Sequence, residues 1–180
     1  VCILFVFLGT QMFAQEIDKG YESYNDGDYA TALQEWKPLA QQGYAFAQYN
    51  LGILYEYGNG VPKDYAEAVK WYRLSAEQGY AISQYSLGLM YSNGYGVLKD
   101  KAEAVKWWRL SAEQGYVYAQ GMLGIMYELG EGVLKDDITA HMWYNIASQS
   151  NEFANISKEH VEEQMTPIQI TKARELASQC

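Results

Sequence analysis

The chain has 180 residues, enough for one ordinary domain or a short stack of repeated units. Acidic side chains outnumber Lys plus Arg by 22 to 13, giving a net charge of -9 with no long block of either sign. Without clustered cations the chain cannot neutralise a phosphate backbone or an anionic bilayer, which excludes nucleic acid and such a surface as partners.

Ile3 to Leu8 form an unbroken apolar run followed by Gly9 and Thr10, and no charge occurs before Glu16. This reads as the h-region of a secretory signal, because a spanning helix needs about 20 apolar residues. Residues 1–14 are therefore expected to be a signal peptide remnant, cleaved after Ala14, whose start lies upstream of Val1. The mature chain is expected to lack a transmembrane segment and to be periplasmic or secreted. Cys2 lies inside the leader and Cys180 is the last residue, so no internal disulfide is expected and packing must supply the stability.

From Glu16 onward the chain repeats itself at an offset of 36 residues, as in Gly43, Gly79 and Gly115, or Gly52, Gly88 and Gly124. Residues 65–80 and 101–116 agree at 14 of 16 positions, and a period of this size marks a solenoid of helix pairs. The expected units are about 16–43, 44–79, 80–115 and 116–150, with a capping pair over 151–180.

The first unit uses Asp26-Gly27-Asp28 as a short turn and places Ala32, Trp36, Leu39 and Ala40 on the buried face of its second helix. In the second unit Ala47, Leu51, Leu54 and Tyr55 recur at spacings of three and four, the pattern of an amphipathic helix A. Gly58 can cap it in the left-handed conformation, and Gly60-Val61-Pro62 carries the chain away. Asp64 is placed to cap helix B, with Glu67 three residues on able to complete a capping box; Asp100 and Glu103 repeat the arrangement, and Asp136 has Thr139 instead. Ala68, Tyr72, Ser75 and Ala76 form the inner face of helix B, while Lys70, Arg73 and Glu77 face water. Near the end, Asn151 to Gln164 reads as a degenerate helix A, and Thr166-Pro167-Ile168-Gln169 starts a last helix running to about Ser178. Bare Gly52, Gly88 and Gly124 and small Ala68, Ala104 and Ala140 let helices approach while Trp36, Tyr72, Trp108 and Tyr144 fill the adjoining space.

The stretches Ala47-Gln48-Tyr49-Asn50-Leu51-Gly52-Ile53-Leu54-Tyr55, Gly58-Asn59-Gly60-Val61-Pro62-Lys63-Asp64 and Ala66-Glu67-Ala68-Val69-Lys70-Trp71-Tyr72 closely resemble the Sel1-like repeat, which is similar to the tetratricopeptide repeat. The resemblance runs from about Asp18 to Leu176. It implies an all-α fold, a right-handed superhelix of antiparallel helix pairs with about four repeats plus the C-terminal capping pair, the A helices lining its concave side. It also implies an adaptor or scaffold that binds a protein partner. Some secreted members staple each repeat with paired cysteines and have been linked to penicillin-like compounds, which makes a beta-lactam or cell-wall-compound binder or hydrolase the alternative. This chain has no repeat cysteine.

No catalytic, cofactor-binding or metal-binding set emerges. His141 and His160 stand in different units without Cys neighbours and read as helix-surface residues. A beta-lactamase pattern of Ser three residues before Lys, with Lys-Thr-Gly, does not occur. The glycines follow the repeat period and punctuate helices, so none forms a phosphate cradle. Asn155-Ile156-Ser157 matches a glycosylation sequon, a short and unspecific motif.

The 17 tyrosines divide into those that recur at equivalent positions, such as Tyr55, Tyr91 and Tyr127, and those that change from copy to copy. The variable ones suit a surface read by a partner. On helix A these positions are Tyr49, Tyr85 and Gly121; Asn50, Ser86 and Met122; Glu56, Ser92 and Glu128; and Tyr57, Asn93 and Leu129. The expected partner-binding stripe therefore comprises Tyr49, Asn50, Glu56, Tyr57, Tyr85, Ser86, Ser92, Asn93, Met122, Glu128 and Leu129.

Overall fold

The structure, a computed structural model, describes residues 19–179, and all regular elements among them are helices packed pairwise. The expected leader, Cys2 and Cys180 lie outside the described residues. The helices are α1 (19–25), α2 (Tyr29–Gln41), α3 (Ala45–Tyr57), α4 (Tyr65–Glu77), α5 (Ala81–Asn93), α6 (Lys101–Glu113), α7 (Val117–Leu129), α8 (Asp137–Ala147), α9 (Glu152–Glu162) and α10 (Pro167–Ala177). They fall into two compact units that divide between Gln78 and Gly79.

In the first unit, Ala32, Trp36, Leu39 and Ala40 of α2 meet Ala47, Leu51 and Leu54 of α3 in one buried cluster. A methyl group added at Gly52 would lie 2.6 Å from the ring of Tyr72, so the aromatic occupies the space that the glycine leaves. Gly20 does the same for Trp36, at 2.3 Å. It precedes Gly52 by 32 residues instead of the repeat period, because the turn at Asp26-Gly27-Asp28 is shorter than its later counterparts.

The second unit repeats these contacts. Gly88 faces Trp108 and Gly124 faces Tyr144, each with 2.4 Å to the nearest ring atom from an added methyl. Ala104, Val105, Trp108, Leu123 and Trp143 belong to one cluster, while Ala140, Tyr144, Ala154, Val161 and Ala173 tie α8 to the last helix pair.

Two glycines in each long turn have separate duties. Gly58, Gly94 and Gly130 end helix A in the left-handed region, with φ of 76°, 78° and 68°. Gly60 and Gly132 also have positive φ, and an added methyl would strike the Tyr29 carbonyl oxygen at 2.8 Å and the Lys101 carbonyl carbon at 2.5 Å. The second glycine thus lets the turn lie directly on the backbone that begins the preceding helix B.

Asp64, Asp100 and Asp136 cap their helices as expected, accepting from backbone N–H groups of the first turn. The capping box does not form at Asp64 or Asp100. The Asp64 amide already donates to the Tyr55 carbonyl at 2.9 Å and the Asp100 amide to Tyr91 at 2.9 Å, which leaves nothing for the glutamate to accept. Glu67 and Glu103 instead pair with Lys70 and Lys106. The full box appears at Thr166 and Gln169, which start α10 with Pro167 at its first position.

Side-chain amides and hydroxyls join neighbouring helices, both within a pair and from one pair to the next. Ser75 Oγ donates to the Ala45 carbonyl and Gln78 Nε2 to Gln48 Oε1, both at 2.7 Å, while Gln48 Nε2 reaches the Ala40 carbonyl at 3.2 Å. Ser111 with Ala81, Gln114 with Gln84 and Gln120 with Ala112 repeat the set in the second unit.

Candidate binding surface on the first helix of each pair

Formal charge is distributed unequally between the helices. α5 has no Asp, Glu, Lys or Arg, α3 has only Glu56, and α7 has only Glu128. Both carboxylates are engaged inside their own pair: the Tyr72 hydroxyl donates to Glu56 Oε2 at 2.5 Å, and the Tyr144 hydroxyl to Glu128 Oε2 at 2.7 Å. Burial first, then the neighbouring carboxylate, pushes both phenols far above their ordinary range, so they remain donors. In the middle pair the buried aromatic is Trp108, its indole N–H donates to the Tyr85 carbonyl at 3.1 Å, and the residue equivalent to Glu56 is Ser92. Glutamate thus stands opposite tyrosine and serine opposite tryptophan, so the copy-to-copy variation at this position matches an internal partner.

The expected stripe divides accordingly. In the first unit Tyr57 is 63% exposed, with its phenol raised mainly by the charge of Glu56. Tyr49 is half-buried and its ring lies 5.7 Å from that of Tyr72. Asn50 is a correction: it is buried, and its amide donates to the Phe46 carbonyl at 2.9 Å because a short amide one turn on can fold back onto its own helix. It presents no surface to a partner.

In the second unit Leu129 is 59% exposed, Asn93 is exposed with its amide donating to the Leu89 carbonyl, and Tyr85, Ser86, Ser92, Met122 and Glu128 are half-buried. Tyr85 does not stand alone. Its ring is 5.2 Å from Tyr116 and 6.2 Å from Tyr118, which are themselves 5.6 Å apart. Tyr118 is 56% exposed and occupies the place held by Phe46 and Ile82 in earlier copies, a change of residue that the stripe omitted.

His141 is the second correction. The side chain is fully buried in α8, not on the helix surface, with Nε2 2.6 Å from Glu162 Oε1 and Nδ1 without a hydrogen-bond partner. Arg174 donates to the same oxygen at 2.9 Å, and His141 foremost, with Arg174, holds the Glu162 carboxyl below its usual range. The repeat period carried this signal, because residue 141 stands where Val69 and Val105 are buried in earlier copies. His160 is exposed, as expected. Among the described residues no three His, Cys, Asp or Glu side chains converge as a metal site, and no helix is long and apolar enough to cross a membrane.

A stack of two-helix units closed by glycine turns and glycine-to-aromatic joints defines a helical repeat protein. The Sel1 repeat profile matches residues 45–80, 81–116 and 117–152, and the chain belongs to the Sel1 repeat family. A protective antigen of uropathogenic Escherichia coli with an SLR fold is similar at 42% identity and a TM-score of 0.75, over 79% of this chain and 32% of that one. A Sel1 repeat protein from Oxalobacter formigenes is similar at 36% identity and a TM-score of 0.74, over 77% of this chain and 58% of that one. Among curated proteins, the DAP3-binding cell death enhancer 1 of Rattus norvegicus is 38% identical over 63 residues, 35% of this chain. The chain spans about a tenth of that relative's length.

Proposed function

We propose that this chain is a non-catalytic scaffold, exported to the cell envelope, that holds a protein partner on the exposed side of its A helices. The observation that carries the reading is the half-exposed aromatic side of α5 and α7, which pairs open tyrosine area with little formal charge. Tyrosine supplies contact area at low entropic cost, as a recognition surface requires. The membership in a repeat family of adaptors and the naming of one curated relative as a DAP3-binding protein support protein binding as the class. Export rests on the apolar run Ile3 to Leu8.

The test is site-specific photocrosslinking in intact cells that express the chain with its leader. A crosslinker at Tyr57 or Tyr118 should yield discrete protein adducts in the envelope fraction, and one at Lys70 on α4 should not. Equal adducts from all three positions, or none, would refute the surface; retention of the chain in the cytosol would refute export.

A further inference from the structure

Tyr85, Tyr116 and Tyr118 pack in mutual contact, with interplanar angles of 56°, 42° and 57°, so they form aromatic ridges and not one flat platform. Beside them is an opening. Gly121 follows Tyr118 by three residues on the same helical face, and a methyl group built on it meets no atom within 4 Å. The two preceding copies have Tyr49 and Tyr85 at that position, so the third copy leaves bare backbone next to an exposed ring.

The chemistry of this face is neutral. α5 carries no charge, and Glu128 on α7 is bound to Tyr144. Desolvation raises the phenols of Tyr85 and Tyr116, which keeps both uncharged through the physiological range. The amides that could recognise a sugar are engaged within the fold: Gln84 accepts from Gln114, Gln120 donates to the Ala112 carbonyl, and Asn93 donates to the Leu89 carbonyl. What remains is tilted aromatic rings, phenol donors and open backbone at Gly121, features on which a polyproline II segment can pack. A charged segment would lose hydration here without finding a counter-charge.

We propose that the α5–α7 face of the second unit docks an uncharged, proline-rich segment of the partner protein in the polyproline II conformation, with one proline ring seated between Tyr118 and the Gly121 backbone. This rests on the protein-binding reading above.

The test is calorimetric titration of the full chain with a synthetic uncharged peptide of alternating Pro-Pro and Ser-Ala pairs. A Gly-Ser peptide of equal length, an acidic proline-rich peptide and a neutral chitin-type oligosaccharide serve as comparisons. The uncharged proline-rich peptide should bind best, with affinity changing less than about twofold between roughly 0.05 and 0.5 M salt, because no ion pair forms. Gly121→Tyr, which installs the residue of the two earlier copies, should weaken it about tenfold or more without lowering the melting temperature, and Tyr118→Ala should weaken it as much while lowering the melting temperature by only a few degrees. Stronger binding of the oligosaccharide or the acidic peptide, no saturable binding of the proline-rich peptide, or full affinity in Gly121→Tyr would overturn the proposal. Envelope adducts at Tyr118 with a failed peptide titration would leave the scaffold reading standing and remove this inference alone.

Discussion

The match between residue 92 and residue 108 can be put to a double-mutant cycle. Trp108 is fully buried and its indole N–H is satisfied by the Tyr85 carbonyl. Trp108→Tyr puts a phenol in register with Tyr72 and Tyr144, opposite a serine where those two have a glutamate. The smaller ring leaves a void of a few tens of Å³, about 1 kcal/mol at roughly 24 cal/mol per Å³. The stranded hydroxyl adds about 1 to 3 kcal/mol. The single mutant should therefore lose about 2 to 4 kcal/mol by denaturant unfolding. Ser92→Glu alone should be nearly neutral, because the site is half-exposed. The double mutant should regain about 1.5 to 3 kcal/mol, the worth of a hydrogen bond to a charged acceptor. A coupling energy below about 0.5 kcal/mol would mean that the two positions act independently, and the argument that variation here is internal would fail.

Gly124→Ala brings a methyl group to 2.4 Å from Tyr144 and should cost about 1 to 3 kcal/mol, read as a lower unfolding midpoint. Gly121→Ala on the same helix meets open space and should leave the midpoint unchanged apart from a small gain in helix propensity. Asp64→Ala should lose about 0.5 to 2 kcal/mol, since two backbone donors lose their acceptor, whereas Glu67→Ala should lose under about 0.5 kcal/mol because it removes only an exposed ion pair. Glu162 has a folded carboxyl that releases its proton more readily than in the unfolded chain. Its stabilising contribution is therefore present above the ordinary glutamate range and is lost as pH falls through the folded value. An acid titration of Glu162→Gln should lack that part of the decline, and identical acid profiles would refute the assignment.

The helices and their joints were legible because glycine, alanine and aromatic residues recur at a fixed period, and steric fit depends on local residue type. Glycine positions, helix ends and the terminal Thr166 box all follow from this. Interactions created by closure of the fold were not legible. The Asp64 amide is claimed by a carbonyl nine residues earlier, so the local motif that suggested a capping box with Glu67 had no donor left. Glu56 and Glu128 looked like variable surface because their tyrosine partners are 16 residues away. A helical wheel gives direction but not whether a side chain turns back on its own backbone, as Asn50 does onto the Phe46 carbonyl. His141 is buried because residue 141 stands in register with Val69 and Val105, which residue type alone does not reveal. Tyr116 and Tyr118 joined Tyr85 only once α5 and α7 were side by side.

The turn between α5 and α6 is fastened at both ends, by Gly94 to Met90 and by Asp100 to Tyr91, and the turn between α7 and α8 has its Asp136 fastened to Tyr127. Leu98 and Leu134, at the tips, are 91% and 89% exposed. A fluorophore or an affinity handle attached at either tip would hang from a closed bracket, on a side chain that stands in solvent. These two leucines are the natural places from which to watch or tether the molecule while its tyrosines are occupied.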